Sequence, residues 1–158
     1  MPSERPTADR ELRAEVRISA APEEVWRALT DVRDWPRRSP ELQAMLPLKP
    51  GGLRAGQWYL GVNRRKAVFW PTRNVVVEVA PDRCLSWDTR TSGVRWIFEL
   101  ERVPDGTRLV HRRPVPARLT LLGRLFARFA LGGEVAHADE LENGMARTLA
   151  AIRRAVEA

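Results

Sequence analysis

Cysteine is almost missing from this chain of 158 residues: Cys84 stands alone, which excludes an internal disulfide framework and a cysteine-rich zinc site. Histidine is nearly as scarce, with only His111 and His137. Glu134-Val135-Ala136-His137 has the Glu-x-x-His spacing of a di-iron ligand pair, but that chemistry needs a second copy and further glutamates, and no second copy exists. There is no His-Glu-x-x-His pair, no nucleophile elbow and no phosphate-cradling loop, since Pro50-Gly51-Gly52 and Gly56 read as a turn. No metal and no cofactor is expected. No run reaches the ~18 uninterrupted apolar residues of a membrane span, and Met1 to Arg13 has no apolar core of the kind a secretory signal carries. A cytoplasmic protein is the expectation.

Lysine is the other shortage. Of 27 basic residues, against 20 acidic ones and a formal charge of +7, only Lys49 and Lys66 are lysines. The arginines are scattered through every segment with acids between them, as a GC-rich coding sequence produces, and they read as solvated faces. No nucleic-acid partner is expected, although net basic charge ordinarily raises one. The densest cluster, Arg64-Arg65-Lys66, falls where a turn between strands is expected.

What the chain does have is pattern. Its length suits one domain that removes roughly 70% of its unfolded surface from water, with residues 1–10 a flexible leading segment and 11–158 the folded unit. Leu12, Ala14, Val16 and Ile18 alternate with polar residues, the period of a half-buried strand. Ala21-Pro22-Glu23-Glu24 then opens a short helix: proline loses no needed N–H in the first turn, and two acids oppose the positive helix end. Trp35-Pro36 and Ser39-Pro40 force an irregular passage. Six strand candidates follow, Leu42 to Leu48, Gln57 to Asn63, Thr72 to Ala80, Cys84 to Arg90, Val94 to Arg102 and Thr107 to Arg113, joined by links short enough to imply antiparallel hairpins.

From Ala117 to Ala158 the chain reads as helix, broken at Gly132-Gly133 and straight from Glu134 onward. Leu141, Met145, Leu149, Ile152 and Val156 share one face of it. A helix this long cannot bury such a stripe alone, so the strands must supply a concave surface. His137 and Gly144 fall on or beside that face, Gly144 where the helix approaches sheet or ligand closely. Leu121, Leu122, Leu125, Phe126 and Phe129 beside Arg118, Arg124 and Arg128 have two readings. Residues 118–131 form either a cover or lid on the sheet or an interfacial helix that docks transiently on a membrane.

The order of these motifs is similar to one family. The strand followed by Ala21-Pro22-Glu23-Glu24-Val25-Trp26 with Asp31 and Trp35-Pro36 resembles the opening of the START-like (SRPBCC) superfamily, in its polyketide cyclase/dehydrase and lipid-transport branch. Gly61-Val62-Asn63-Arg64, Glu78-Val79-Ala80-Pro81-Asp82-Arg83, Trp96-Ile97-Phe98-Glu99-Leu100 and Glu140-Leu141-Glu142-Asn143-Gly144-Met145 extend the resemblance over about residues 11 to 157. The resemblance implies an α+β helix-grip fold: a curved, seven-stranded antiparallel sheet around the C-terminal helix, two short helices after the first strand, and an apolar cavity between. Its members bind lipids, polyketides and other apolar small molecules, and some catalyse cyclisation.

On that pattern Trp87, Trp96, Phe98 and His111 face the cavity, with His137, Leu141 and Met145 from the helix. On the strand before, Trp58, Leu60 and Val62 form one apolar row, and Tyr59, Gly61 and Asn63 the other. The second is preferred inward, because a phenol and an amide suit an amphipathic ligand. The candidate ligand-binding residues are therefore Tyr59, Asn63, Trp87, Trp96, Phe98, His111, Arg113, His137, Leu141 and Met145. Arg113 shares the face of His111 and offers a guanidinium to an anionic oxygen. The leading expectation is binding of an apolar or aromatic small molecule. The alternative is a polyketide cyclase/aromatase in which His111, His137 and Tyr59 act as acid/base or positioning groups. A third is a regulatory or partner-binding module with a filled cavity. Oligomeric state is not legible.

Overall fold

The computed structural model describes residues 10–115 and 134–158, the side chains of 134–138 excepted. Strand β1 (Leu12–Ile18) leads into α1 (Pro22–Leu29), a 3₁₀ turn at Val32–Asp34 and the single-turn α2 (Trp35–Arg38). Six strands follow: β2 (Leu42–Pro47), β3 (Trp58–Arg65), β4 (Val68–Ala80), β5 (Cys84–Thr89), β6 (Val94–Val103) and β7 (Gly106–Arg113). Helix α3 (Glu134–Glu157) ends the described chain. The segment read as lid or membrane helix, 118–131, lies outside the described residues.

The seven strands form one sheet in the order β1-β7-β6-β5-β4-β3-β2, antiparallel throughout. Hairpins make every neighbour except one, and β1 closes against β7 with Leu12 opposite Arg113 and Ile18 opposite Thr107. Gly106 makes this junction possible. Its φ is 147°, and a Cβ there would lie 2.1 Å from the carbonyl oxygen of Ile18. The β3–β4 hairpin is tighter than the sequence suggested: Arg64 and Arg65 belong to the strand, and only Lys66, at φ 55°, and Ala67 form the turn. In β4 the pairing to β5 slips between Val76 and Glu78, a bulge of the kind that bends a strand. The α+β helix grip is thus the fold: a curved antiparallel sheet with a C-terminal helix packed on it.

Alternation in β1 buries Leu12 and Ile18 at its two ends. Helix α1 puts Pro22, Val25 and Leu29 inward, with Glu23 and Glu24 in its first turn. Ile18, Val25 and Leu29 join Trp35, Tyr59, Leu85, Leu109, Leu149 and Ile152 in the main core. Leu149 and Ile152 are 1% and 2% exposed, and each contributes about 1.5–3 kcal/mol by leaving water. A smaller cluster of Leu12 and Met145, with Ala14, Trp96 and Leu141 against it, lies nearer the start of α3. The core is therefore dense under the C-terminal half of α3, and the site opens beside its N-terminal half.

Candidate functional site

A cavity of about 940 Å³ lies between the concave face of the sheet and α3, within the size range of small-molecule sites. The sheet contributes Asn63, Trp87, Trp96, Phe98, His111 and Arg113, and the helix contributes Leu141, Gly144 and Met145. Trp35 and Pro40, from the passage between α1 and β2, complete one wall. Eight of the ten ligand-binding candidates read from the sequence meet here. Tyr59 does not. It points to the concave side but is 5% exposed, packed into the core with its ring 6.4 Å from that of Trp35. Burial raises the phenol's pKa. His137 lies in α3, and its side chain is outside the described residues.

The floor is built from aromatic rings and a line of hydrogen bonds. Trp35 stacks on Trp87 at 5.1 Å, and Trp87 lies 5.7 Å from Phe98. Beside them, the Trp96 indole N–H donates to Thr89 Oγ1 (3.1 Å), whose hydroxyl donates to Asn74 Oδ1 (2.7 Å). The Asn74 amide donates to Thr72 Oγ1 (3.2 Å), which also accepts from Asn63 Nδ2 (3.1 Å). Four adjacent strands, β3 to β6, are stitched together by side chains on the cavity floor. Gly61 leaves room for this line, since a Cβ there would sit 2.5 Å from Thr72 Oγ1.

Sequence reading missed Thr72, Asn74 and Thr89. Their signal was weak but present: Thr72 and Asn74 stand two apart in a strand, so they share a face, and Asn74 pairs with Thr89 across the sheet.

His111 is 6% exposed, and its ring stacks on Phe98 with centroids 3.8 Å apart and planes 12° apart. Trp96 lies 5.8 Å away at a tilt. Neither imidazole nitrogen has a hydrogen-bond partner among the described residues. Burial alone pushes its pKa down to about 3, because a charged ring would be cut off from water. At neutral pH it is an uncharged donor and acceptor. Arg113, two residues on, is 5% exposed and donates from Nη2 to the carbonyl oxygen of Arg10 (2.9 Å). It lines the cavity and also holds the chain entering β1.

The mouth carries the charges. Arg65 on β3 makes a bidentate ion pair with Glu140 on α3. Glu41 stands nearby with its pKa pushed up to about 7, first by burial and then by Glu140, against the opposing pull of Arg65. Phe69 is 60% exposed at the rim, under the Arg64 guanidinium at 5.2 Å. Gly144 lines the cavity, but a Cβ there would meet only Pro40 at 3.8 Å, an ordinary contact. Among the described residues, α3 makes no close approach to the sheet at Gly144. Cys84 is a half-buried strand residue whose thiol is pushed up to about 11 by burial and by Glu78, so it is no nucleophile at neutral pH.

The family model for "Polyketide cyclase / dehydrase and lipid transport" matches residues 9–157. The chain belongs to this family. Solved structures share its fold. The Polyketide_cyc-like protein Cgl2372 from Corynebacterium glutamicum is 24% identical, with 93% of this chain and 91% of that one covered at a TM-score of 0.60. The Zhui aromatase/cyclase from Streptomyces sp. R1128 is 17% identical, covering 94% and 93% at a TM-score of 0.67. The di-domain aromatase/cyclase StfQ of the steffimycin biosynthetic pathway is 13% identical, and 93% of this chain matches 50% of that one at a TM-score of 0.70. No curated protein matches the chain in sequence. Among the described residues, no helix of this family member is long and apolar enough to cross a membrane.

Proposed function

We propose that this member of the family binds an apolar or aromatic small molecule in the cavity between its sheet and α3. The cavity carries the reading: about 940 Å³ lined by Trp35, Trp87, Trp96, Phe98, Leu141 and Met145. Its polar floor is largely satisfied within the protein, and apolar surface removed from water contributes ~25 cal/mol per Å². A ligand of moderate size therefore needs no charged anchor. A space this large weighs against the reading of a partner-binding module with a filled interior.

A second reading is a polyketide cyclase/aromatase, supported by the family and by a buried neutral imidazole among aromatic rings. His111 would be its acid/base or positioning group. Tyr59 is packed in the core and does not line the cavity, and the side chain of His137 lies outside the described residues. Native mass spectrometry of the purified protein tests the binding reading, with a mass increment of a non-covalent apolar ligand as the expected result. Turnover separates the two. In a cyclase, replacing His111 lowers kcat far more than affinity, since an acid/base group acts in the transition state. In a binder, the same change shifts affinity alone and nothing is consumed.

A further inference from the structure

We infer that the convex face of strands β2, β3 and β4 is a docking surface for an anionic lipid bilayer. The inference is independent of what the cavity holds. Asn63, Thr72 and Asn74 point to the cavity floor, so their alternate neighbours point the other way. On β3 these are Trp58, Leu60 and Val62, followed by Arg64. On β4 they are Phe69, Pro71, Arg73 and Val75. The edge strand β2 adds Leu46, opposite Leu60, and Leu48 follows with its N–H on the Trp58 carbonyl. Leu46 and Leu48 are each 50% exposed, and Phe69 is 60% exposed. Of the exposed large apolar side chains among the described residues, all but Val115 belong to this stretch of chain, and clustered apolar surface of this kind marks an interaction site.

Charge decides what covers it. From Leu42 to Val77 the chain has no Asp or Glu, while Lys49, Arg54, Arg64, Arg65, Lys66 and Arg73 are all cationic. Among the described residues, only Arg65 of these forms a salt bridge, to Glu140. The other half of the convex face is built differently: Arg112 is held between Glu11 and Glu99, and Arg108 between Glu15 and Glu101. A second copy seated symmetrically on β2 to β4 would set cations against cations, with no carboxylate to answer them. A protein partner also fits poorly. Protein interfaces carry about one hydrogen bond per 100–200 Å², and Arg64 and Arg73 are the only polar side chains that β3 and β4 turn to this face. Anionic headgroups ask only for cations, and the acyl boundary takes leucine, tryptophan and phenylalanine with no hydrogen bond at all. Phe69 also borders the cavity, so the face and the opening meet at the β3–β4 hairpin.

The test is flotation of the whole protein with vesicles of phosphatidylcholine, alone or mixed with phosphatidylglycerol. Binding to the mixed vesicles should be about tenfold tighter or more, and rising salt should weaken it. Arg64→Gln with Arg73→Gln should cut it about twentyfold, at roughly fivefold per cation. Leu46→Gln with Leu48→Gln should weaken it about tenfold or more by removing apolar area from the acyl boundary. A readout needing no variant is ¹⁵N NMR of the protein on nanodiscs of the same mixture with gadolinium-chelated headgroups, which should broaden the amides of Leu46, Trp58 and Phe69 and spare those of Arg108 and Arg112. No binding to the mixed vesicles, binding that ignores salt and both double variants, or broadening centred on Arg108 and Arg112 would overturn the inference. A dimer in analytical ultracentrifugation that Leu46→Gln with Leu48→Gln turns into a monomer would overturn it as well, because a second copy would then own the face. Polyglutamate shifting the same amides, without vesicle binding, would assign the face to an acidic protein instead.

Discussion

At the scale of single residues, the site is governed by what burial does to His111 and Glu41. The His111 pKa is about 3 in the folded protein against 6.5 ordinarily, so the unfolded chain takes up this proton first. The stability it contributes is complete above pH 6.5 and is lost as pH falls toward 3. Glu41 runs the other way. Its carboxyl is raised from 4.5 to about 7, so its contribution is complete below pH 4.5 and is lost as pH rises through 7. Urea unfolding across this range should show His111→Phe losing less stability than wild type on acidification, and Glu41→Gln removing part of the decline between pH 4.5 and 7. Variant profiles parallel to wild type would show that neither group is held in its uncharged form. Gly61→Ala should cost about 1–3 kcal/mol by crowding Thr72, and an unchanged melting temperature would show that the floor yields freely. The placement of Trp87, Trp96 and His111 beside the cavity was legible because the family resemblance gave one inward residue and strand parity carried that face to its neighbours. Tyr59 shows the limit. Parity left two rows open there, and the preference for Tyr59 inward came from the resemblance and from the fit of a phenol to an amphipathic ligand, whereas its packing against Trp35 depends on contacts far apart in sequence.

At the scale of elements, α3 is the piece the sequence announced most clearly, since its stripe of Met145, Leu149 and Ile152 is buried against the sheet. Met145→Asp should cost about 3 kcal/mol or more, or prevent folding, by burying an unpaired charge. A melting temperature equal to wild type would place that face in water. Gly144→Ala is expected to do the opposite. Mid-helix glycine is ~1 kcal/mol less favourable than alanine, and among the described residues the nearest atom to the new Cβ is Pro40 at 3.8 Å. Chemical denaturation should therefore show a stabilised protein, whereas a destabilised one would reveal a close contact. Strand edges were less legible than strand centres. Sequence reading put Arg64 and Arg65 in a turn because they fall between two strand candidates, yet they extend β3, with Arg65 answered by Glu140 on α3. Composition does not register a partner 75 residues away.

At the scale of the whole molecule, the family and the helix-grip fold were readable because many loose motifs keep one order over almost the entire chain. The polar line from Asn63 to Trp96 was not readable, since it exists only once β3 to β6 are in register. The account as a whole holds that the space between sheet and helix is a ligand site, lined by rings and supported by that line. It is tested most directly by NMR of the ¹⁵N-labelled protein titrated with 2-naphthol. The account predicts saturable shifts concentrated at the Trp96 and Trp87 indoles, the Asn74 amide, and the backbone of His111 and Met145. Shifts confined to the convex face of the sheet, or no saturable shift at all, would contradict it.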